Sequence, residues 1–282
     1  MRALALVLLL GSTFASTTSA QEAPLEALIS GAIAFHNDVS EHDLAELGSR
    51  QVEDVIDGKT VVVRRRTRTH DGRDLSWVYA YALSTQPRLH LWLAATRPGF
   101  SDSDVLSTVG IERHDDGSTL TFMHMDVPWP LDDRWWLADV TMDVGLAEAS
   151  GGRVWARRWQ LADDGEDRAR ALAAQRALGE FTVHTLEDGL ALPTNEGAYL
   201  TFDLDGRHTL IAYASLIAAG GDVPEGFFTD FTSRTLRRNV ARILEEAQDV
   251  PATYTTGAPV CTDGFGQALP YFPLESTASR KR

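Results

Sequence analysis

The period of the apolar positions changes along the chain, and the changes divide it into elements. Residues 24–36, PLEALISGAIAFH, carry apolar residues at helical spacing behind a proline, which predicts a short amphipathic helix. Residues 59–69, KTVVVRRRTRT, are rich in β-branched residues and follow Asp57-Gly58, and residues 74–84, DLSWVYAYALS, follow Asp71-Gly72. Two such runs around a tight turn predict a hairpin. Trp77, Tyr79 and Tyr81 share one parity and so one face of their strand. Residues 86–95 return to helical spacing after Pro87, with Leu89, Trp92 and Leu93 as the apolar positions.

A second hairpin is predicted over 105–113 and 118–127 around Asp116-Gly117, then a long strand over 133–146 and its partner over 153–161 across Ser150-Gly151-Gly152. Residues 163–179 are charged and alanine-rich, which fits either an exposed helix or an excursion between strands. Residues 181–185 and 198–204 alternate as strands, and 208–218 read as a more apolar one. The clearest helix spans 225–246, where Phe227, Phe228, Phe231, Leu236, Val240, Ile243 and Leu244 recur at spacings of three and four. Residues 250–282, rich in Pro, Thr, Gly and Ser, read as a tail without a core of its own. This order of elements predicts an α+β fold, a curved antiparallel sheet wrapped around the last long helix.

The first residues add a destination. Met1-Arg2, the apolar run ALALVLLL and the small-residue stretch ending at Thr18 and Ala20 predict a cleavable signal peptide over 1–20. The run is too short to span a bilayer. The expected location is therefore periplasmic or secreted. A formal net charge of −14 argues against nucleic acid, whose phosphates need clustered Lys and Arg. Cys261 is the only cysteine, so no internal disulfide forms.

Chemical signatures are sparse. There is no Gly-x-Ser-x-Gly elbow, no His-Glu-x-x-His and no glycine-rich phosphate loop. The eight histidines are scattered, and no motif calls for a metal or a cofactor. Asp102 and Asp104 in the SDSD stretch fit a cap or an exposed loop better than a calcium site. The basic run Arg64-Arg65-Arg66-Thr67-Arg68 alternates faces on its strand and fits a solvated sheet face paired with acids, or a surface for an anionic partner.

One string narrows the reading. Met125-Asp126-Val127-Pro128-Trp129-Pro130-Leu131-Asp132-Asp133-Arg134 makes a stiff corner with few spare donors before the next strand. It resembles a signature of START lipid-binding domains, in the helix-grip (SRPBCC or Bet v 1-like) superfamily. The resemblance continues in the short helix after Pro87 and in the ending, where Ile211-Ala212-Tyr213 leads through Gly220-Gly221-Asp222-Val223-Pro224 into the long helix. The chain departs from the pattern at 163–179, and for the family's first strand only residues 50–56 are a candidate. On this resemblance, 21–44 form a helical lead-in, 45–248 the START-like domain and 249–282 the tail.

The resemblance implies a cavity for a lipid or other hydrophobic small molecule, held by a monomer with transient membrane contact. Candidate lining residues are Trp77, Tyr79, Tyr81, Phe122, His124, Arg134, Trp136, Phe227, Phe228 and Phe231. Each of the apolar ones also fits ordinary core. His124 fits either a headgroup contact or a satisfied core histidine, and Arg134 either a headgroup contact or a structural pair. The same superfamily includes cyclases and hydrolases, a reading that needs paired polar groups inside the cavity, such as His124 with Arg134 or Asp126.

Overall fold

The computed structural model describes residues 23–68, 72–100, 106–127, 131–221, 223 and 225–273, and at positions 225 and 227 it describes the backbone. The segment read as a signal peptide, the SDSD stretch, the Pro128-Trp129-Pro130 corner, residues 274–282 and the Phe227 side chain lie outside the described residues.

Nine strands form one sheet among the described residues. They are β1 (Val61–Arg68), β2 (Asp74–Ser84), β3 (Leu106–Arg113), β4 (Thr119–Met125), β5 (Arg134–Met142), β6 (Val154–Leu161), β7 (Leu190–Ala191), β8 (Thr194–Asp203) and β9 (Thr209–Ala218). The order is β1-β2-β9-β8-β6-β5-β4-β3, antiparallel throughout, with the two-residue β7 added parallel to β5. The last strand lies beside the first hairpin, with Tyr81 opposite Ala212. This mixed α+β architecture, a curved sheet with a long C-terminal helix, is the one predicted from the order of elements.

The helices divide between the two faces of the sheet. α7 (Glu225–Glu246) and α3 (Arg88–Thr96) pack on the inner face. There Val78, Ala80 and Ala82 of β2 meet Leu236, Val240 and Ile243 of α7. The inner side of β2 is small because a helix lies against it. On the outer face, α1 (Leu25–Val39) and α2 (Ser49–Ile56) cover β2, β8 and β9 through Ile29, Ile33, Val52 and Val55. α5 (Gly165–Ala174), α6 (Val183–Asp188) and the segment between them cover β4 and β5 through Ala169, Ala173, Phe181 and Leu186. Central strands are therefore buried on both faces, and β9 shows almost no polar alternation.

Three sequence expectations change, and one left open, over 163–179, resolves to a helix. Residues 50–56, the candidate first strand, fall in helix α2, where Val52 and Val55 are buried. The long strand predicted over 133–146 stops at Met142. The Asp143 carboxylate accepts the Leu146 N–H at 2.9 Å and caps the short helix α4 (Val144–Ala149). Residues 181–185 are not a strand. The Thr182 hydroxyl accepts from the Thr185 N–H and starts α6. Within 163–179, the charged face of α5 is exposed while Ala169 and Ala173 pack inward.

Residues 249–273 have no separate core but join the main one. α8 (Val250–Thr253) is followed by Tyr254 and Cys261, both buried among Trp92, Trp155 and Val240. At Gly264 the chain passes so close to the Trp155 indole that a Cβ would overlap the ring.

Candidate functional site: a cavity between the sheet and α7

Between the inner face of the sheet and α7 lies a cavity of about 850 Å³. That is within the range of small-molecule sites. Its walls come from β3, β4, β5, β6, β8 and β9, from α7, and from residues 95–100 at the end of α3. Alternation decides which residues face it. On β4 Thr119, Thr121, Met123 and Met125 line the wall, while Leu120 and Phe122 turn outward under α5 and α6. On β6 it is Arg157 and Trp159. On β9 it is Tyr213, Ser215 and Ile217.

The wall is graded in polarity. Cross-strand pairing places Met125, Met123 and Trp136 toward one end, near Leu106, Ile217 and Phe231. At the other end Arg157 stands opposite Met142 on one side and Tyr199 on the other. Met142 and Trp136 are six residues apart on β5, roughly 20 Å at the rise of a strand. The cavity is thus elongated, with an apolar end and a polar one.

The polar end holds most of the charge. Arg97, Arg113, Arg157, Arg238 and Arg242 line the cavity, and Glu112 is the single acid among its lining residues. Glu112 is held by Arg168 at 2.6 Å on the outer side. Glu246 pairs with Arg97 at 2.9 Å and lies 3.9 Å from Arg242. Arg242 stacks over the Phe100 ring. Arg157 donates from Nη1 to the Thr96 carbonyl at 3.1 Å, and its Nε has no partner. Burial lowers the Arg157 pKa against the opposing pull of the Cys261 and Tyr213 side chains. Burial likewise raises the Tyr213 hydroxyl, which is hydrogen-bonded to Asn239, and the Cys261 thiol.

Of the residues predicted from sequence, Trp136 and Phe231 line this cavity. Phe228 is buried beside Phe231 without reaching the wall, their ring centres 5.9 Å apart. Trp77, Tyr79 and Tyr81 form a stacked row on the opposite face of the sheet, beneath α1 and α2. The Tyr79 and Tyr81 hydroxyls donate to the carbonyls of Asp43 and Ala45. Phe122 and His124 also face outward, where both pack on Phe181. His124 Nε2 lies 3.4 Å from Asp133 Oδ2.

Arg134 is almost fully buried and away from the cavity wall. It donates to the carbonyls of Ala219 at 2.7 Å and Gly220 at 3.4 Å, and to those of Asp132 and Asp133. It clamps the start of β5 to the corner between β9 and α7. Asp126 is exposed. The candidate polar pairs, His124 with Arg134 or Asp126, are therefore not brought together in the cavity.

The residues the sequence reading missed were Thr121, Met123, Arg157, Trp159 and Tyr213. A signal for some of them was present. Trp155, Arg157 and Trp159 alternate along β6, a cation framed by indoles on one face of an inner strand.

A curved antiparallel sheet gripping a long C-terminal helix, with a cavity between them, is a helix-grip architecture. No protein-family model matches the chain, and no curated protein matches it. Solved structures do. Human STARD10 superposes with a TM-score of 0.50 at 11% identity, over 76% of this chain and 85% of that one. Human StAR-related lipid transfer protein 5 superposes with a TM-score of 0.50 at 11% identity, over 79% and 94%. The chain has the START-like fold.

Proposed function

We propose that this protein binds one lipid or similar hydrophobic small molecule in the cavity between the sheet and α7 and carries it through water. The observation that supports this most directly is the cavity itself. It offers about 850 Å³, with an end walled by Met123, Met125, Trp136, Ile217 and Phe231. Each buried CH₂ of a guest gains about 0.8 kcal/mol there, so affinity needs no special chemistry. The name of StAR-related lipid transfer protein 5, which has the same fold, points the same way.

The apolar run and small-residue stretch within residues 1–20 support an exported protein, which sets this carrier in the aqueous space beside a membrane. Native mass spectrometry of the purified protein, before and after incubation with a lipid extract, tests the binding reading. A mass increment matching one lipid, lost in a variant with the cavity filled, is the expected result. A cavity that takes up no lipid from any extract overturns it. Sequencing the N-terminus of the protein recovered outside the cytoplasm tests export, and a mature chain beginning at Gln21 is the expected result.

A further inference from the structure

The polar end of the cavity is built unlike the rest of the molecule. The chain as a whole is strongly acidic, at −14. Yet five arginines and one glutamate line the cavity, and the glutamate is engaged by Arg168 on the outside. Arg97 and Arg242 share Glu246. Arg113 donates to the Val260 carbonyl. Arg157 is different. It projects from the inner face of β6 into the cavity, and its one recorded hydrogen bond, to the Thr96 carbonyl, leaves Nε without a partner. Among the described residues no carboxylate lies within ion-pair distance of it.

Arg157 is half-buried on the cavity wall with its Nε enclosed, and an enclosed cationic donor without an anion is costly because its desolvation is not repaid by a partner. Its planar fork of donors fits a carboxylate or a phosphate, and such charge-assisted bonds are the strong ones. The surroundings favour an anion over a neutral polar group. Tyr213 and Asn239, hydrogen-bonded to each other, stand beside Arg157 with Arg242 near them, and burial holds the Tyr213 hydroxyl in its neutral, donating form. The wall turns apolar further along the strands, where Thr121 and Met123 pair with Ala138 and Trp136, four and six residues along β5 from the Met142 that pairs with Arg157.

We infer that the ligand is an amphiphile with a single anionic headgroup, a carboxylate or a phosphate, which binds Arg157 while its apolar tail fills the end walled by Met123, Trp136 and Phe231. This rests on the lipid-binding reading and specifies its ligand class.

The test compares three probes with the same sixteen-carbon chain: palmitate, hexadecyl phosphate and hexadecanol. Each is titrated into the full-length protein and into the Arg157→Met variant, with circular dichroism as the check on folding. Charge-assisted hydrogen bonds in a desolvated site predict that the protein binds at least one anionic probe about 10-fold or more tighter than hexadecanol. They also predict that Arg157→Met removes that preference while hexadecanol binding persists. Whichever anionic probe binds tighter identifies the headgroup as carboxylate or phosphate. Equal affinity for all three probes overturns the anionic assignment and leaves the cavity reading standing. A preference that survives in Arg157→Met overturns the role of Arg157. Binding of none of the three overturns both the ligand class and the cavity reading.

Discussion

The indole N–H of Trp92 donates to the carbonyl of Thr262 at 2.7 Å, joining residues 170 positions apart. The bond ties the segment after α8 to the helix at the polar end of the cavity. Trp92 also meets the Trp155 ring edge-on at 5.5 Å. Trp92→Phe keeps an aromatic ring but removes the donor and part of the buried indole, leaving a carbonyl unpaired and a small void. It should lower stability by about 1–3 kcal/mol in urea unfolding. Ending the chain at Asp249 removes Val250, Tyr254 and Cys261 from the same cluster and should leave a chain that does not fold cooperatively.

Filling the cavity separates space from stability. Thr121 lines the wall on β4, opposite Ala138 on β5. Thr121→Trp projects an indole into open volume, so the melting temperature should fall little while affinity for hexadecanol drops about 10-fold or more. Isothermal titration beside a melting curve measures both. Unchanged affinity would place the binding site elsewhere.

Tyr81→Phe is the matching control from the other face of the sheet. The Tyr81 hydroxyl donates to the Ala45 carbonyl at 2.7 Å beneath α2. Its loss should cost about 1–2 kcal/mol of stability. Ligand affinity should not change, because the side chain is turned away from the cavity. A large loss of affinity would contradict the outward placement of the aromatic row.

Gly197 sits on β8 where a methyl group would overlap the Trp159 ring and the Ala214 carbonyl oxygen. Gly197→Ala therefore displaces a cavity-lining indole and strains the pairing of β8 with β9. The expected cost is about 1–3 kcal/mol or more, as for overpacking. It should be accompanied by a shift in tryptophan fluorescence.

His36 links stability to acidity. It sits on the buried face of α1 against Phe202, and burial lowers its pKa from the ordinary 6.5 to about 4. Between these values the unfolded chain binds a proton that the folded chain refuses. Stability is then present in full above pH 6.5 and lost as the pH falls toward 4, by about 3 kcal/mol at most for this one group. His36→Leu should lose less stability over that range than the parent. Urea midpoints at pH 7, 6 and 5 for the two proteins give the comparison. Parallel curves would show that His36 is not the titrating group.

The fold was largely legible because its elements carry strong periods. The 225–246 helix, both predicted hairpins and the run of strands around the Pro87 helix lie where the spacing places them. What misled was local. The resemblance placed 50–56 as a strand, although Val52 and Val55, three apart, share a face only in a helix. The 133–146 run hid a cap at Asp143 that only its captured N–H reveals. The site was less legible for a different reason. Parity gives two faces of a strand but does not say which is inside, and here helices cover both. The aromatic row Trp77, Tyr79 and Tyr81 drew attention to the outer face, while the inner face of β2 is Val78, Ala80 and Ala82 because α7 must lie against it. Arg157 was passed over because a charged residue on a strand is ordinarily solvated, and its enclosure depends on Thr96, Tyr213 and Cys261 from distant parts of the chain.

The Arg134 clamp has a mechanical consequence. It bolts the corner leading into α7 to the start of β5. The far end of α7 is bolted too, where Gln86 donates to the Leu244 carbonyl at 2.8 Å and Arg97 meets Glu246. Along its side, Arg64 reaches Asp230 and Ser233. α7 is held at its C-terminal end and along one flank, and the chain leading toward it is held at Ala219 and Gly220, so it lies across the cavity as a crossbar. Among the described residues the only stretch of cavity wall outside helix and strand is 97–100, so the wall is framed almost wholly by elements whose backbone bonds are satisfied within the helix or sheet.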